Sequence, residues 1–267
     1  MILRRVIEHV KAQNWFAVAI DFVIVVVGVV IGIQVSNWNA ARHDEARARS
    51  YLERIRGDLD ADIANYGNRI EFWKKVSSYG AKALAFADRG EAGGAGQWEM
   101  LLAYFQASQV AEFWTTQTTY DELKSAGELG LIADLDLRDR LAQYYTNAGN
   151  PALTERPKYR EHVRGAIPLD VQLYIWENCY GSDSSGDQEF LSCAAPIDES
   201  RAAEIVRRLS SDAALMAELR YWMSTMHVAT LIGRDRTASA GEVLKSVETA
   251  LVVRPSEPAA VQTETGC

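Results

Sequence analysis

The run from Trp15 to Trp38, WFAVAIDFVIVVVGVVIGIQVSNW, limits the possible folds more than any other part of the chain. It is predominantly apolar, carries one charge, Asp21, and has an indole at each end. Such a run is expected to fold as a membrane-spanning helix. The 23 steps between the tryptophans cover about 34 Å at roughly 1.5 Å per residue, enough to cross a hydrocarbon core of about 30 Å with slight tilt. Trp15 and Trp38 then fall at the two headgroup belts, which favour amphipathic rings. The run is too long for the apolar part of a cleaved signal peptide and no small-x-small cleavage site follows it, so an uncleaved signal-anchor is expected.

Residues 1–14, MILRRVIEHVKAQN, place Ile2, Val6, Ile7 and Val10 on one helical side, which suits an amphipathic segment on the cytoplasmic leaflet. Inside the span, Gly28 and Gly32 form a G-x-x-x-G pair that lets a second helix approach closely. The expected partners are therefore membrane lipid and either a second copy of the chain or another membrane protein, although glycine is also common in membrane helices generally. Asp21 sits six residues, roughly 9 Å, inside the nearer belt. An isolated charge there costs about 3 kcal/mol by insertion scales, so it either stays hydrated near the interface or titrates within a membrane complex. The second reading is similar to the layout of single-span subunits of proton-driven stator complexes, a likeness of about twenty residues that includes no peptidoglycan-binding module.

Beyond the span, residues 39–252 are expected to form one extracytoplasmic helical domain and residues 253–267 a polar, disordered tail. A composition of 48% hydrophobic and 24% charged residues suits a folded, helix-rich protein. Net charge is -8, and a surface of that sign repels phosphate backbones, so nucleic acid is not an expected partner. Leu52, Leu59, Tyr66 and Trp73 recur every seven residues with Ile55, Ile63 and Ile70 beside them, a seam at bundle spacing that predicts a stalk helix continuous with the span. Asp58, Asp60 and Asp62 spread around such a helix and read as a solvated face rather than a metal cluster.

The stalk should end near Gly90, at the GEAGGAG breaker. Further helices are predicted around Trp98 to Val110 and after a Thr119/Glu122 capping box, the latter stopped by Gly127 and Gly130. Others are predicted after an Asp134 cap and over Lys158 to Trp176 with a bend at Pro168. Ser200 to Ser210 and Ala213 to Leu251 complete the set, the last burying Leu215, Leu219, Trp222, Met226, Ala229 and Ile232. The segment from Trp114 to Tyr120 either packs between helices or lines a ligand pocket. Cys179 and Cys193 bracket a Gly/Ser/Asp-rich loop at a spacing suited to a disulfide in an oxidising compartment, the alternative being two unpaired buried thiols in a cytosolic domain. Acidic residues in that loop alternate somewhat as in a calcium loop, but glycine and the terminal Glu are misplaced.

Orientation is weakly encoded. Arg4, Arg5 and Lys11 precede the span, whereas Arg42, Arg47, Arg49, Arg54 and Arg56 follow it. A long domain translocates largely regardless of its charges, and with the cysteine pair this favours a cytoplasmic N-terminus. The four histidines are scattered, and no zinc motif, nucleophile elbow or phosphate loop occurs, so neither an enzyme nor a cofactor is expected.

The span exit Gly28 to Asn39 follows the pattern G-x-x-I-x-x-Q-x-x-N-W-N, and Thr119 to Ile132 follows T-Y-D-E-L-x-x-x-G-x-L-x-L-I. On these motifs the chain resembles a family of uncharacterised bacterial single-pass inner-membrane proteins. The resemblance implies an anchor with an extracytoplasmic helical domain and no assigned activity. It also makes Gln34, Asn37, Trp38 and Asn39 a signature at the outer interface, where side-chain amides cap helices, bridge them or anchor the chain. The combined expectation is an all-α, single-pass inner-membrane protein with a periplasmic bundle, acting as a non-catalytic structural or interaction subunit. The alternatives are a ligand-sensing domain that works through a membrane partner and a proton-linked subunit that uses Asp21.

Overall fold

The structure, a computed structural model, describes residues 15–90, 94–147, 149–153, 156–183 and 186–252. The amphipathic start, part of GEAGGAG and the tail with Cys267 lie outside the described residues. One helix, α1, runs unbroken over Trp15–Arg89, 75 residues or roughly 110 Å. It ends at Gly90, whose φ of 70° suits glycine and whose N–H donates to Phe86 O at 2.7 Å, closing the last turn. The boundary at residues 38 and 39 therefore falls inside a continuous helix.

The other helices are α2 (Gln97–Gln106), α3 (Thr118–Ser125), α4 (Leu135–Asn147), α5 (Lys158–Ala166), α6 (Leu169–Asn178), α7 (Glu199–Ser211) and α8 (Ala213–Val252). Short 3-10 turns occupy Leu129–Leu131 and Pro151–Leu153. Among the described residues the fold is all-α apart from one antiparallel hairpin, β1 (Tyr180–Ser182) with β2 (Gln188–Phe190), where the sequence suggests only a loop.

The long helix α8 runs antiparallel to the second half of α1. Arg49 Nη1 donates to Leu251 O at 3.1 Å near one end, and Arg220 pairs with Asp88 at 2.7 Å near the other. The helices lie close together at Gly80, where an added Cβ would run into the Met223 side chain, and at Gly233, where it would lie 2.9 Å from the Trp73 ring. The seven-residue seam of α1 is the buried one: Leu52, Ile55, Leu59, Tyr66, Ile70 and Trp73 are all inside, with Ile63 half-buried. A core near the anchor joins Leu52, Ile55 and Leu59 to α3, α4 and the end of α8. A larger distal core joins Trp73 and Val76 to α2, α5, α6, α7 and the start of α8.

Several sequence expectations are corrected by tertiary contacts. Asp62 is fully buried, not solvated: it accepts the Tyr144 O–H at 2.6 Å and the Thr116 N–H at 2.8 Å. The Thr119/Glu122 capping box does not form, because α3 begins two residues earlier with Gln117 in the cap position, Thr119 is buried and Glu122 pairs with Arg54 of α1. Gly127 does stop α3, at φ 70°, with its N–H and that of Glu128 donating to Lys124 O and Leu123 O. Asp134 caps α4 as expected, accepting from Leu137 N at 3.1 Å. The helix expected to bend at Pro168 is instead two helices, because Ile167 is forced into extended backbone by the following proline. Helix α2 stops at Gln106, short of Val110: the N–H groups of Ser108 and Gln109 bond three residues back, to Phe105 O and Gln106 O, and the carbonyls that follow are taken by side chains, Ala107 O by the Trp222 indole at 2.9 Å and Ser108 O by Arg160 at 2.7 Å.

Candidate functional site

The anchor half of α1 is uncovered by the rest of the described chain. Its most apolar 18-residue window has a mean hydropathy of 2.7 and is 0% buried, long and apolar enough to cross a membrane. Trp15 and Trp38 are exposed, Asp21 is half-exposed, and added Cβ atoms at Gly28 and Gly32 would meet nothing within 4 Å. Both glycines therefore lie on a free face. Gln34, Asn37 and Asn39 project from mid-helix, so no helix end exists there for them to cap. Just beyond, the Arg42 guanidinium lies 4.3 Å from the Trp38 ring, one turn along. The bundle begins where Arg47 pairs with Glu128 and Tyr51 donates to the same carboxylate at 2.9 Å.

Cys179 and Cys193 are joined in a disulfide that closes the base of the hairpin. The hairpin is fastened to α1 by Phe190 stacked on Phe72 and edge-on to Tyr79. Its tip turns at Gly186, φ 79°, where Gly186 O accepts from Arg69 Nη1 at 2.9 Å and Asp187 accepts from Asn68 at 2.6 Å.

Beside this tip lies an open cavity of about 340 Å³ lined by Arg69, Glu112, Trp114, Arg156, Arg160 and Gln188, among others. Each wall is pinned independently. The non-helical segment carrying Glu112 and Trp114 is held by Trp73 Nε1–H donating to Ala111 O at 2.9 Å and by Thr116 N–H on Asp62. Helix α5 is held by Tyr159 O–H on Tyr104 O at 2.8 Å. Next to the cavity, Arg164 lies 4.9 Å from the Phe105 ring and 4.8 Å from the Trp176 ring, bonded to Ser108 Oγ and Gln109 Oε1.

No carboxylate pairs with Arg156, Arg160 or Arg164 among the described residues. Burial, and then the neighbouring Arg156, pushes Arg160 down to about 10; burial, and then Arg160 and Arg156, pushes Arg164 down to about 9. Both stay cationic at neutral pH.

The sequence carries one sign of this cluster outside any recognised motif. Arg156, Arg160 and Arg164 recur every fourth residue, which stacks them on one face of α5 and the turn before it. Arg69, on α1, and Gln188, on β2, could not be added from sequence, because only the docking of the hairpin on α1 brings them together. Trp114, expected to pack between helices or line a pocket, lines the cavity and is 71% exposed. Comparison with family models, curated proteins and solved structures finds no match.

Proposed function

We propose that this chain is a single-pass bacterial inner-membrane protein with its N-terminus in the cytoplasm and its helical domain in the periplasm. It serves as a non-catalytic structural or interaction subunit. The observation that carries the membrane reading is the uncovered α1 surface. Between the two tryptophans, thirteen Val, Ile and Phe side chains are exposed. At about 1.5–3 kcal/mol for each such side chain left in water, the sum is at least on the order of 20 kcal/mol, more than the 5–15 kcal/mol of net stability of a typical domain. Lipid removes that cost.

The disulfide supports an oxidising compartment for the domain, and the unbroken helix supports a rigid stalk that sets its height above the bilayer. The free Gly28/Gly32 face supports pairing with a second copy or another span. Thiol labelling of spheroplasts tests the topology. A membrane-impermeant maleimide should reach Cys179 and Cys193 from outside once an impermeant reductant has opened the bond. Labelling only after lysis reverses the orientation.

A further inference from the structure

We propose that the cavity between α1, α5, the hairpin tip and the segment through Trp114 binds a small organic anion: a carboxylate or phosphate at Arg156 and Arg160, attached to a flat apolar body on the Trp114 indole. Four observations converge on it.

The lining is cationic in a chain of net charge -8: Arg69, Arg156 and Arg160 face a single lining carboxylate, Glu112. Asp187 lies 3.9 Å from Arg69, but Arg156 and Arg160 have no carboxylate partner among the described residues; concentrating such guanidinium groups costs desolvation and mutual repulsion, and an oxyanion offsets both while accepting the planar N–H fork.

Two lining residues each carry a buried polar atom without a partner among the described residues. Arg69 is 7% exposed, and its Nε–H finds no acceptor although its Nη1 is used by Gly186 O. Gln188 Oε1 is buried without a donor. Buried polar groups nearly always find partners, so these two wall residues keep unused donor and acceptor capacity, on a wall shared with an adjoining cavity of about 430 Å³.

Trp114 supplies the apolar contact. An indole that is 71% exposed at the mouth of a cationic cavity offers a face for stacking, while the other tryptophans of the bundle are buried or half-buried. The volume of about 340 Å³ lies at the lower end of small-molecule sites, about 300–1,000 Å³, and so fits a compound of one ring rather than a polymer.

The walls, finally, are preformed. The disulfide, the Phe72 and Phe190 stack, the Trp73 indole and Asp62 each hold one side, so binding costs little ordering of the protein. Such binding needs only the folded bundle, so it stands or falls separately from the topology proposed above.

The test uses the full chain in detergent, titrated with phenyl phosphate, benzoate, inorganic phosphate and the neutral benzyl alcohol. It is read by tryptophan fluorescence and by the thermal midpoint. Phenyl phosphate and benzoate should bind saturably at millimolar concentrations or below, and benzyl alcohol should not. Arg156→Ala, at an exposed position, should leave the unliganded midpoint unchanged and weaken every anion by about tenfold or more, the loss of one charged hydrogen-bonding group. Trp114→Ala should weaken the two aromatic anions and leave inorganic phosphate as it was. The proposal is overturned if no anion binds saturably, if Arg156→Ala binds as the wild type does, or if chloride reproduces the response at equal ionic strength.

Discussion

The bond between Asp62 and Tyr144 ties the stalk helix to α4 across 82 residues of sequence, and removing it should be expensive. Tyr144→Phe leaves a buried carboxylate oxygen without its donor, and a hydrogen bond to a charged group is worth about 1.5–3 kcal/mol. Asp62→Ala orphans both the phenol and the Thr116 N–H, so its cost should reach about 3–5 kcal/mol. For a domain of roughly 200 residues, about 2–4 °C per kcal/mol places the Tyr144→Phe shift at roughly 3–12 °C. The double variant loses both partners together and should cost less than the sum of the single ones, by about 1.5–3 kcal/mol. Urea unfolding in detergent, followed by the fluorescence of buried Trp73 and Trp222, measures all three. Single costs that add within about 0.5 kcal/mol would refute the coupling.

Packing between α1 and α8 gives a paired test. Gly233→Val drives a side chain into Trp73 and Ile70 and should destabilise by about 1–3 kcal/mol, whereas Gly67→Ala meets nothing within 4 Å and should stabilise by about 0.5–1 kcal/mol; chemical denaturation separates the signs. Asp212 accepts the N–H groups of Ala214 and Leu215 at the start of α8, and the Leu215 bond, with the His162 ring beside it, holds its carboxyl below the ordinary range. Asp212→Ala should therefore cost about 1 kcal/mol at neutral pH. A carboxyl depressed in the folded state contributes fully above its unfolded value and loses that contribution as pH falls through the folded one. The two proteins should thus converge in strongly acidic urea titrations. Replacing Gly28 and Gly32 together with isoleucine should abolish self-association in a membrane two-hybrid reporter; unchanged association removes that pairing mode.

Periodicity and punctuation made the long helices legible. The Leu52 to Trp73 seam, the Gly90 and Gly127 stops, the Asp134 cap and the buried face of α8 all depend on residues within two turns of each other, where local rules hold. Ile63 and Ile232, expected inside, are only half-buried, because each sits at the edge of its stripe. What escaped was set by distant partners. Nothing near Asp62 separates it from Asp58 and Asp60; Tyr144 and Thr116 do. The hairpin has strands of three residues, too short for an alternating pattern, and is fixed by the Phe72 contact and the disulfide. The anion cavity draws on four separate segments, of which sequence marks two: the segment from Trp114, one of whose two readings was a pocket wall, and the arginine spacing on α5 and the turn before it.

The most direct test of the anchor is extraction of membranes with alkaline carbonate, which strips peripheral proteins and leaves spanning helices in lipid. With thirteen apolar side chains of α1 uncovered by the bundle, the chain should stay wholly in the pellet, and deleting residues 15–38 should release it. Release of the intact chain into the supernatant would contradict the membrane span.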